Sequence, residues 1–150
     1  MEGKIGLFSY GTLKEPEIQE ILFGQQVEME KAVLINWRVY CGSDGYFFVR
    51  GETGYSVEGC ILVLSEEQLH IADRWEEVPS YIRISTCAYL EDGSACEVWV
   101  YAKPDEQGEP AEHAWRSGVA IERVIAEAKE LKRRLKISRE NQKLGDNTNR

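Results

Sequence analysis

Two short stretches of the chain carry residue types that can do chemistry together. The first is Tyr10-Gly11-Thr12-Leu13, which follows an apolar run and precedes a helix announced by Pro16. Successive backbone N–H groups at such a turn form a nest for an anion. Because the Gly-Lys-Ser/Thr of a P-loop is absent, the turn suits a small carboxylate better than a nucleotide. The alternative is an ordinary connection that needs its glycine for backbone geometry.

The second stretch is Trp75-Glu76-Glu77, at the end of a predicted helix. Carboxylates there oppose the helix dipole, so they form either a solvated acidic face or a functional group. In the functional interpretation, one carboxylate points into an apolar pocket lined by Trp75 and Tyr81, where desolvation raises its pKa and makes it a general base. Adjacent residues on a helix point about 100° apart, so only one of Glu76 and Glu77 can point into the pocket. Tyr101 is a further candidate for the pocket lining, although such aromatics more often belong to the core.

The other reactive side chains predict no additional site. His70 and His113 are far apart in sequence, and no Ser-His-Asp or Cys-His arrangement is legible. The cysteines form no Cys-x-x-Cys pair and lie in or beside predicted strands, which favours buried free thiols: Cys41, Cys60, Cys87 and Cys96. We therefore expect neither a metal nor a cofactor.

Composition predicts one soluble domain. The chain has 150 residues, 43% of them hydrophobic, which is enough for a core without disulfides. It starts without a leader pattern and has no apolar run of membrane-spanning length, so we expect a cytoplasmic protein without a membrane partner. We expect a folded domain over 1–137 and a basic, frayed tail over 138–150.

Charge is unevenly distributed along the chain. The net charge is -8, yet residues 129–150 carry eight Lys or Arg against three Asp or Glu, a net of +5, which leaves -13 for residues 1–128. An acidic body repels phosphates, so a nucleic acid partner is not expected. The basic end is interpreted as a solvated helix terminus, since cations there complement the helix dipole.

The surrounding pattern predicts the elements that position these stretches. One helix is expected from Pro16 up to Gly24. A second is expected to begin at a Ser65 cap, where Gln68 completes a capping box, and to end at Pro79. A third is expected over 112–136. One face of a predicted strand carries an apolar residue at every second position: Val33, Ile35, Trp37 and Val39. Gly59 allows a bulge or a close backbone approach, and Asp92-Gly93 predicts a hairpin. The strands are expected at Lys4–Tyr10, Ala32–Cys41, Tyr46–Val49, Ser56–Leu64, Tyr81–Leu90 and Ala95–Ala102.

This order does not alternate as a doubly wound fold would, and the hairpin makes part of the sheet antiparallel. The fold class predicted is α+β, with a mixed, largely antiparallel, barrel-like sheet, helices packed outside it and a long C-terminal helix. The oligomeric state stays open.

Four segments in this order resemble the gamma-glutamylcyclotransferase-like family: Phe8 to Leu13, Val57 to Leu64, Leu69-x-x-x-Asp73-x-x-Glu76 and Tyr81-x-Arg83. The resemblance covers residues 5 to about 103 and implies a pocket at the end of the first strand. In enzymes of the family, the turn that matches Tyr10 to Leu13 holds the α-carboxylate of a γ-glutamyl group, and the glutamate that matches Glu76 is the acid/base. The Tyr46-Phe47-Phe48-Val49 run departs from the family's proline-containing tyrosine motif, so the pocket wall differs in shape.

The activity implied by the resemblance is intramolecular. The substrate's α-amine attacks its own γ-amide carbonyl, expelling an amine and leaving 5-oxoproline, with no cofactor. Two alternatives stand beside it. One is a non-catalytic protein that binds a small carboxylate or a partner, and the other is a pathway enzyme that removes a γ-glutamyl protecting group from an amine metabolite.

Overall fold

The computed structural model of the chain describes residues 4–76, 81–104, 106–111 and 120–148, and of 138–148 the backbone alone. The expected helix stop at Pro79 and the beginning of the helix expected over 112–136 lie outside these residues. The elements in chain order are β1 (Ile5–Ser9), a 3-10 turn (Thr12–Lys14), α1 (Pro16–Phe23), β2 (Met29–Cys41), β3 (Phe47–Leu64), α2 (Glu66–Trp75), β4 (Ile82–Leu90), β5 (Ala95–Ala102), β6 (Glu109–Pro110) and α3 (Ile121–Thr148).

Five strands close into a barrel. Their order is β3-β1-β5-β4-β2, pairing between β2 and β3 completes the ring, and β6 adds to the edge of β2. Among the described strands, β1 and β5 form the single parallel pair, with Leu7 opposite Trp99 and Phe8 opposite Val100. The predicted α+β barrel-like sheet of mixed direction is confirmed.

Strand β1 is buried on both of its faces. Phe8 points into the barrel interior and is 1% exposed, whereas Leu7 points outward under the helices and is 0% exposed. Successive side chains of a strand point to opposite faces, so this one strand joins the two hydrophobic clusters of the protein. Its carboxyl end therefore leads into the following turn from a rigid position.

The long hairpin of β2 and β3 differs from the prediction. The two short strands expected at 46–49 and 56–64 are one continuous strand, Phe47–Leu64, which pairs with β2 over 47–51 and 56–62. A bulge at Asn36, whose φ is 67°, shifts the register between Ile35 and Trp37. Val39 is consequently buried while Ile35 is 53% exposed. The two residues, expected on one face from strict alternation, therefore lie in different environments before and after the bulge.

Local sequence signals placed the short helices correctly. Pro16 begins α1, and Gly24 ends it in the left-handed region at φ 78°. Ser65 and Gln68 form the expected capping box at the start of α2. Gly93, at φ 87°, turns the chain between β4 and β5 as the Asp-Gly pair predicts.

Helix α3 packs across α1, with Val124 and Ala128 buried against the outside of the barrel. Lys132 Nζ donates a hydrogen bond to the carbonyl oxygen of Leu22 at 3.1 Å, which places a cation at the C-terminus of α1. The helix runs to Thr148, well beyond the expected end at 136, and it crosses the expected boundary between 137 and 138. The division into a domain and a basic tail stays a prediction.

The cysteines are free, but they are less buried than expected. Cys87 is exposed, and the other three are half-buried. On β4 the side chains alternate, and Ala88 is the one that faces the barrel interior at 0% exposure, so Cys87 faces out. Of the helices in the described ranges, none is both long and apolar enough to cross a bilayer.

Gly59 lies where β3 passes closest to β1. A Cβ at this position would collide with the carbonyl oxygen of Ser9 and approach the Phe8 ring to 2.8 Å. This is the close backbone approach that the sequence allowed, and it packs the end of β1 tightly.

We expect Gly59→Ala to destabilise the fold by about 1–3 kcal/mol, because the backbone of β1 must move to admit the methyl group. Thermal unfolding measures the effect. Gly51→Ala in the same strand is the matched control, since its nearest neighbour would be Asn36 O at 3.9 Å. Equal melting temperatures for the two variants would contradict this account of Gly59.

Candidate active site

A cavity of about 60 Å³ lies at the carboxyl end of β1. The residues around it come from β1, the following turn, the ends of α2 and β5, and the start of α3. Seven residues proposed for the site from sequence lie on its wall: Tyr10, Gly11, Thr12, Leu13, Glu76, Tyr81 and Tyr101.

The turn at Gly11–Leu13 presents backbone donors to this cavity. The N–H groups of Lys14 and Glu15 are used within the 3-10 turn, donating to Gly11 O at 3.3 Å and Thr12 O at 3.0 Å. The N–H groups of Gly11, Thr12 and Leu13 donate to no acceptor among the described residues. Backbone donors without a protein acceptor are available to a ligand, so the anion nest expected at this turn stays a prediction for these three groups.

A buried glutamine fixes the far side of the turn. Gln19 is 0% exposed, and its Nε2 donates to the carbonyl oxygen of Leu13 at 2.8 Å. Its Oε1 accepts from the N–H of Val27 at 3.0 Å. The side chain thereby orients the Leu13 peptide without using any group that faces the cavity.

Glu76 caps the C-terminus of α2, where its N–H donates to Ala72 O at 2.8 Å. Its half-buried side chain reaches the cavity wall. The negative charge of Glu76 raises the pKa of three neighbouring phenols, those of Tyr10, Tyr81 and Tyr101, in addition to the larger effect of burial. The carboxylate thus lies among the tyrosines that surround the cavity. Glu77, the alternative candidate, is outside the described residues.

Trp75 connects the two predicted stretches directly. Its Nε1 donates a hydrogen bond to Thr12 Oγ1 at 3.0 Å. The sequence analysis expected Trp75 beside Tyr81 on the pocket wall, but it lies in the groove outside the cavity. Because this bond joins the residue before Glu76 to the turn, it fixes the separation of the carboxylate from the backbone donors.

The tyrosine hydroxyls around the cavity donate to protein acceptors. Tyr10 donates to the carbonyl oxygen of Tyr101, and Tyr81 donates to that of Phe47 at 2.6 Å. Tyr101 donates to Asp73 Oδ1 at 2.6 Å. Their rings therefore form fixed walls, and the hydrogen-bond donors to a ligand come from the turn.

Asp73 also pairs with Arg83, whose Nε lies 2.9 Å from Oδ1 and whose guanidinium stacks over the Trp99 ring at 4.8 Å. Burial, the bond to Asp73 and the negative charge there together raise the pKa of Tyr101. The family-like spacing of Asp73 and Arg83 thus corresponds to a charge pair that orients one wall of the cavity.

The apolar run before the turn also lines the cavity with Leu7, Phe8 and Ser9, and the run expected to shape the pocket wall contributes Tyr46 and Phe47. Four wall residues were not predicted from sequence: Lys14, Glu15, Ile121 and Val124. Lys14 and Glu15 directly follow the turn, so adjacency alone could have indicated them. Val124 belonged to the apolar stripe of α3, but nothing in that stripe shows where the helix docks.

The cavity opens into a larger, charged groove of about 810 Å³, called here the outer groove. Thr12, Tyr46, Glu76 and Tyr81 line both spaces. The remaining wall comes from Asp44, Arg74, Trp75, Lys103, Arg123, Ala126, Glu127, Glu130, Leu131 and Arg134. Most of these belong to α3 and the end of α2. Within the described part of the chain, no three His, Cys, Asp or Glu side chains converge as a metal site would require.

Comparison with known proteins gives the family. Residues 7–117 match the model of the gamma-glutamyl cyclotransferase, AIG2-like family. The chain belongs to this family. A relative from Methanocaldococcus jannaschii, named as a gamma-glutamylcyclotransferase and proposed RNase, is 29% identical over 103 residues, which are 67% of this chain and 46% of that protein. The chain therefore spans less than half the length of that curated relative.

Solved structures agree with the family's fold. One named gamma-glutamyl cyclotransferase superposes with a TM-score of 0.61 at 16% identity, covering 71% of each chain. An AIG2-like protein from Mus musculus superposes with a TM-score of 0.58 at 19% identity, covering 79% of this chain and 98% of that one. A protein from Arabidopsis thaliana superposes with a TM-score of 0.63 at 17% identity, and the match covers 97% of this chain and 86% of that one.

The buried phenols predict a loss of stability at alkaline pH. The folded protein holds the pKa of Tyr10, Tyr81 and Tyr101 above the ordinary value, so it retains protons that the unfolded chain releases. Their contribution to stability is complete below about pH 10 and is lost progressively above it. At about pH 11, tyrosinate absorbance should show fewer ionised tyrosines in the folded protein than in denaturant. Ionisation of all seven tyrosines near the ordinary pKa in the folded protein would contradict this prediction.

Proposed function

We propose that this protein is a γ-glutamyl cyclotransferase in which Glu76 is the acid/base and the Gly11–Leu13 amides hold the substrate's α-carboxylate. The observation that carries the proposal is that Glu76 and these three donors border one cavity. An anion site opposite a carboxylate matches a substrate whose one end bears a carboxylate and an ammonium group.

The reaction balances without a cofactor or water. The α-ammonium gives a proton to Glu76, and the freed amine attacks the γ-amide carbonyl carbon, forming the lactam C–N bond of 5-oxoproline. Glu76 passes this proton to the amide nitrogen, the original amide C–N bond breaks, and the second proton of the new ring nitrogen also moves through Glu76 to the departing amine, which leaves as an ammonium ion. One carboxylate performs these transfers in succession, because the two nitrogens are bound to the same carbon of the intermediate.

Positioning supplies much of the acceleration in such a mechanism. Nucleophile and electrophile are in the same molecule, so the site must hold the chain in its folded conformation, and an anchored α-carboxylate reduces that chain's freedom. The Trp75–Thr12 hydrogen bond keeps anchor and base at a fixed separation. A substrate bound between the tyrosine rings displaces water from the carboxylate, which favours proton transfer within the complex.

The first test is a panel of γ-glutamyl compounds analysed for 5-oxoproline. The panel includes γ-glutamyl amino acids, γ-glutamyl alkylamines and a γ-glutamyl aminoglycoside, so that general turnover and removal of a protecting group are distinguished by the preferred amine. Absence of 5-oxoproline from every compound at high protein concentration would contradict catalysis. Thermal stabilisation by 5-oxoproline in that case would support the non-catalytic carboxylate-binding alternative.

Glu76→Gln should lower kcat by about 10²–10⁴-fold, because the amide cannot accept the ammonium proton. The size and shape of the side chain are kept, so the melting temperature should change little. Glu77→Gln is the control and should retain activity. A Glu76→Gln protein with full turnover, or a Glu77→Gln protein without any, would refute the assignment of Glu76.

A further inference from the structure

The cavity beside Glu76 is too small for a whole γ-glutamyl compound. A water molecule needs roughly 10–15 Å³ measured in this way, so about 60 Å³ accommodates a few non-hydrogen groups. The rest of a substrate must extend through the opening that Thr12, Tyr46, Glu76 and Tyr81 share with the outer groove.

Tyr46 forms the side of this opening that contacts α3. It follows the turn at Gly42–Gly45 and borders both spaces. Its hydroxyl donates to Glu127 Oε2 of α3 at 2.6 Å, and Glu127 Oε1 accepts from Arg123 Nε at 3.1 Å. A charge-assisted hydrogen bond is stronger than a neutral one, so α3 sets the position of the Tyr46 ring.

Helix α3 lies beyond residues 7–117, the part matched by the family model. It still contributes Ile121 and Val124 to the cavity, and Glu127 and Glu130 to the outer groove. A segment outside the matched region thus borders both parts of the site.

Resting on the proposed function, we propose that the outer groove binds the leaving amine and that Tyr46, positioned by Glu127, determines which amine is accepted. The groove favours an amine with an extended, polar substituent, such as an amino acid or a short peptide. An alkyl chain would cover charged side chains without hydrogen-bonding to them, which is unfavourable.

The charges of the groove support a polar occupant over a simple cation. Both oxygens of Glu127 are engaged by Arg123 and Tyr46. Glu130 accepts from Arg133 and Arg134, which lower its pKa to about 2. These two acids are therefore already paired with cations. Lys103 Nζ lies above the Tyr81 ring at 4.4 Å and 3.8 Å from Glu106 Oε2, so the cation near the opening is paired as well.

The test uses three substrates with the same γ-glutamyl head: γ-glutamyl methylamide, γ-glutamyl hexylamide and γ-glutamylglycylglycine. The methylamide is too short to reach the groove. We expect the wild-type protein to prefer the peptide to the hexylamide. Tyr46→Phe keeps the ring but loses the bond to Glu127, so it should lower kcat/KM for the peptide about tenfold through KM and change the methylamide by less than about twofold.

Glu127→Ala should reproduce this selective loss, and Glu127→Gln, which keeps an acceptor for Tyr46, should recover part of it. Glu122→Gln removes an exposed carboxylate of the same helix, outside the groove lining, and is the matched control. Equal losses for methylamide and peptide in Tyr46→Phe would indicate a merely structural role and overturn the proposal. A wild-type preference for the hexylamide would do the same.

Binding measurements separate this proposal from the proposed function. Calorimetric titration of the Glu76→Gln protein with the three compounds reports the preference for the peptide without turnover. A peptide preference that Tyr46→Phe removes, in a protein that yields no 5-oxoproline, would support the groove and contradict the cyclotransferase. Turnover with equal affinities for all three compounds would contradict the groove alone.

Discussion

The structure depends on strand β1 being buried on both faces. Phe8 fills the barrel interior while Leu7 supports the helices outside it, and the tight contact at Gly59 leaves the strand no room to shift. A strand held in this way ends at a fixed point with a fixed direction. The turn that follows is therefore positioned by the core of the protein, although three of its backbone donors face a cavity.

Local signals made the beginning of the chain predictable. Pro16 and Gly24 bound α1, Ser65 and Gln68 begin α2, and each acts through neighbours a few residues away. The same holds for the turn at Tyr10–Leu13 and for Glu76, which border one cavity, whereas Trp75 lies in the groove outside it. These residues come together in space because the barrel closes, and the resemblance to a known family was what indicated that closure.

Features set by distant contacts were missed. The segment between Val49 and Ser56 contains Gly51 and Gly54 and resembles a loop, yet it belongs to one long strand, because pairing with β2 continues on either side of residues 52–55. The bulge at Asn36 is stabilised across that hairpin, since Gly54 N–H donates to Asn36 Oδ1 at 3.1 Å. The docking of α3 over the cavity was equally hidden, because an apolar stripe on a helix does not identify its receptor surface.

The amides of the Gly11–Leu13 turn have a consequence for how such a protein can diversify. Main-chain donors are present whatever side chains the turn carries, so the ligand head in the proposed reaction is held by groups that most substitutions leave intact. The tyrosine hydroxyls are committed to protein acceptors, and the groove wall comes largely from a helix outside the region shared with the family. If the proposed reaction holds, anchoring and selectivity belong to separate segments of the chain, and point mutations in the C-terminal helix would change the accepted amine while the turn and Glu76 stay the same.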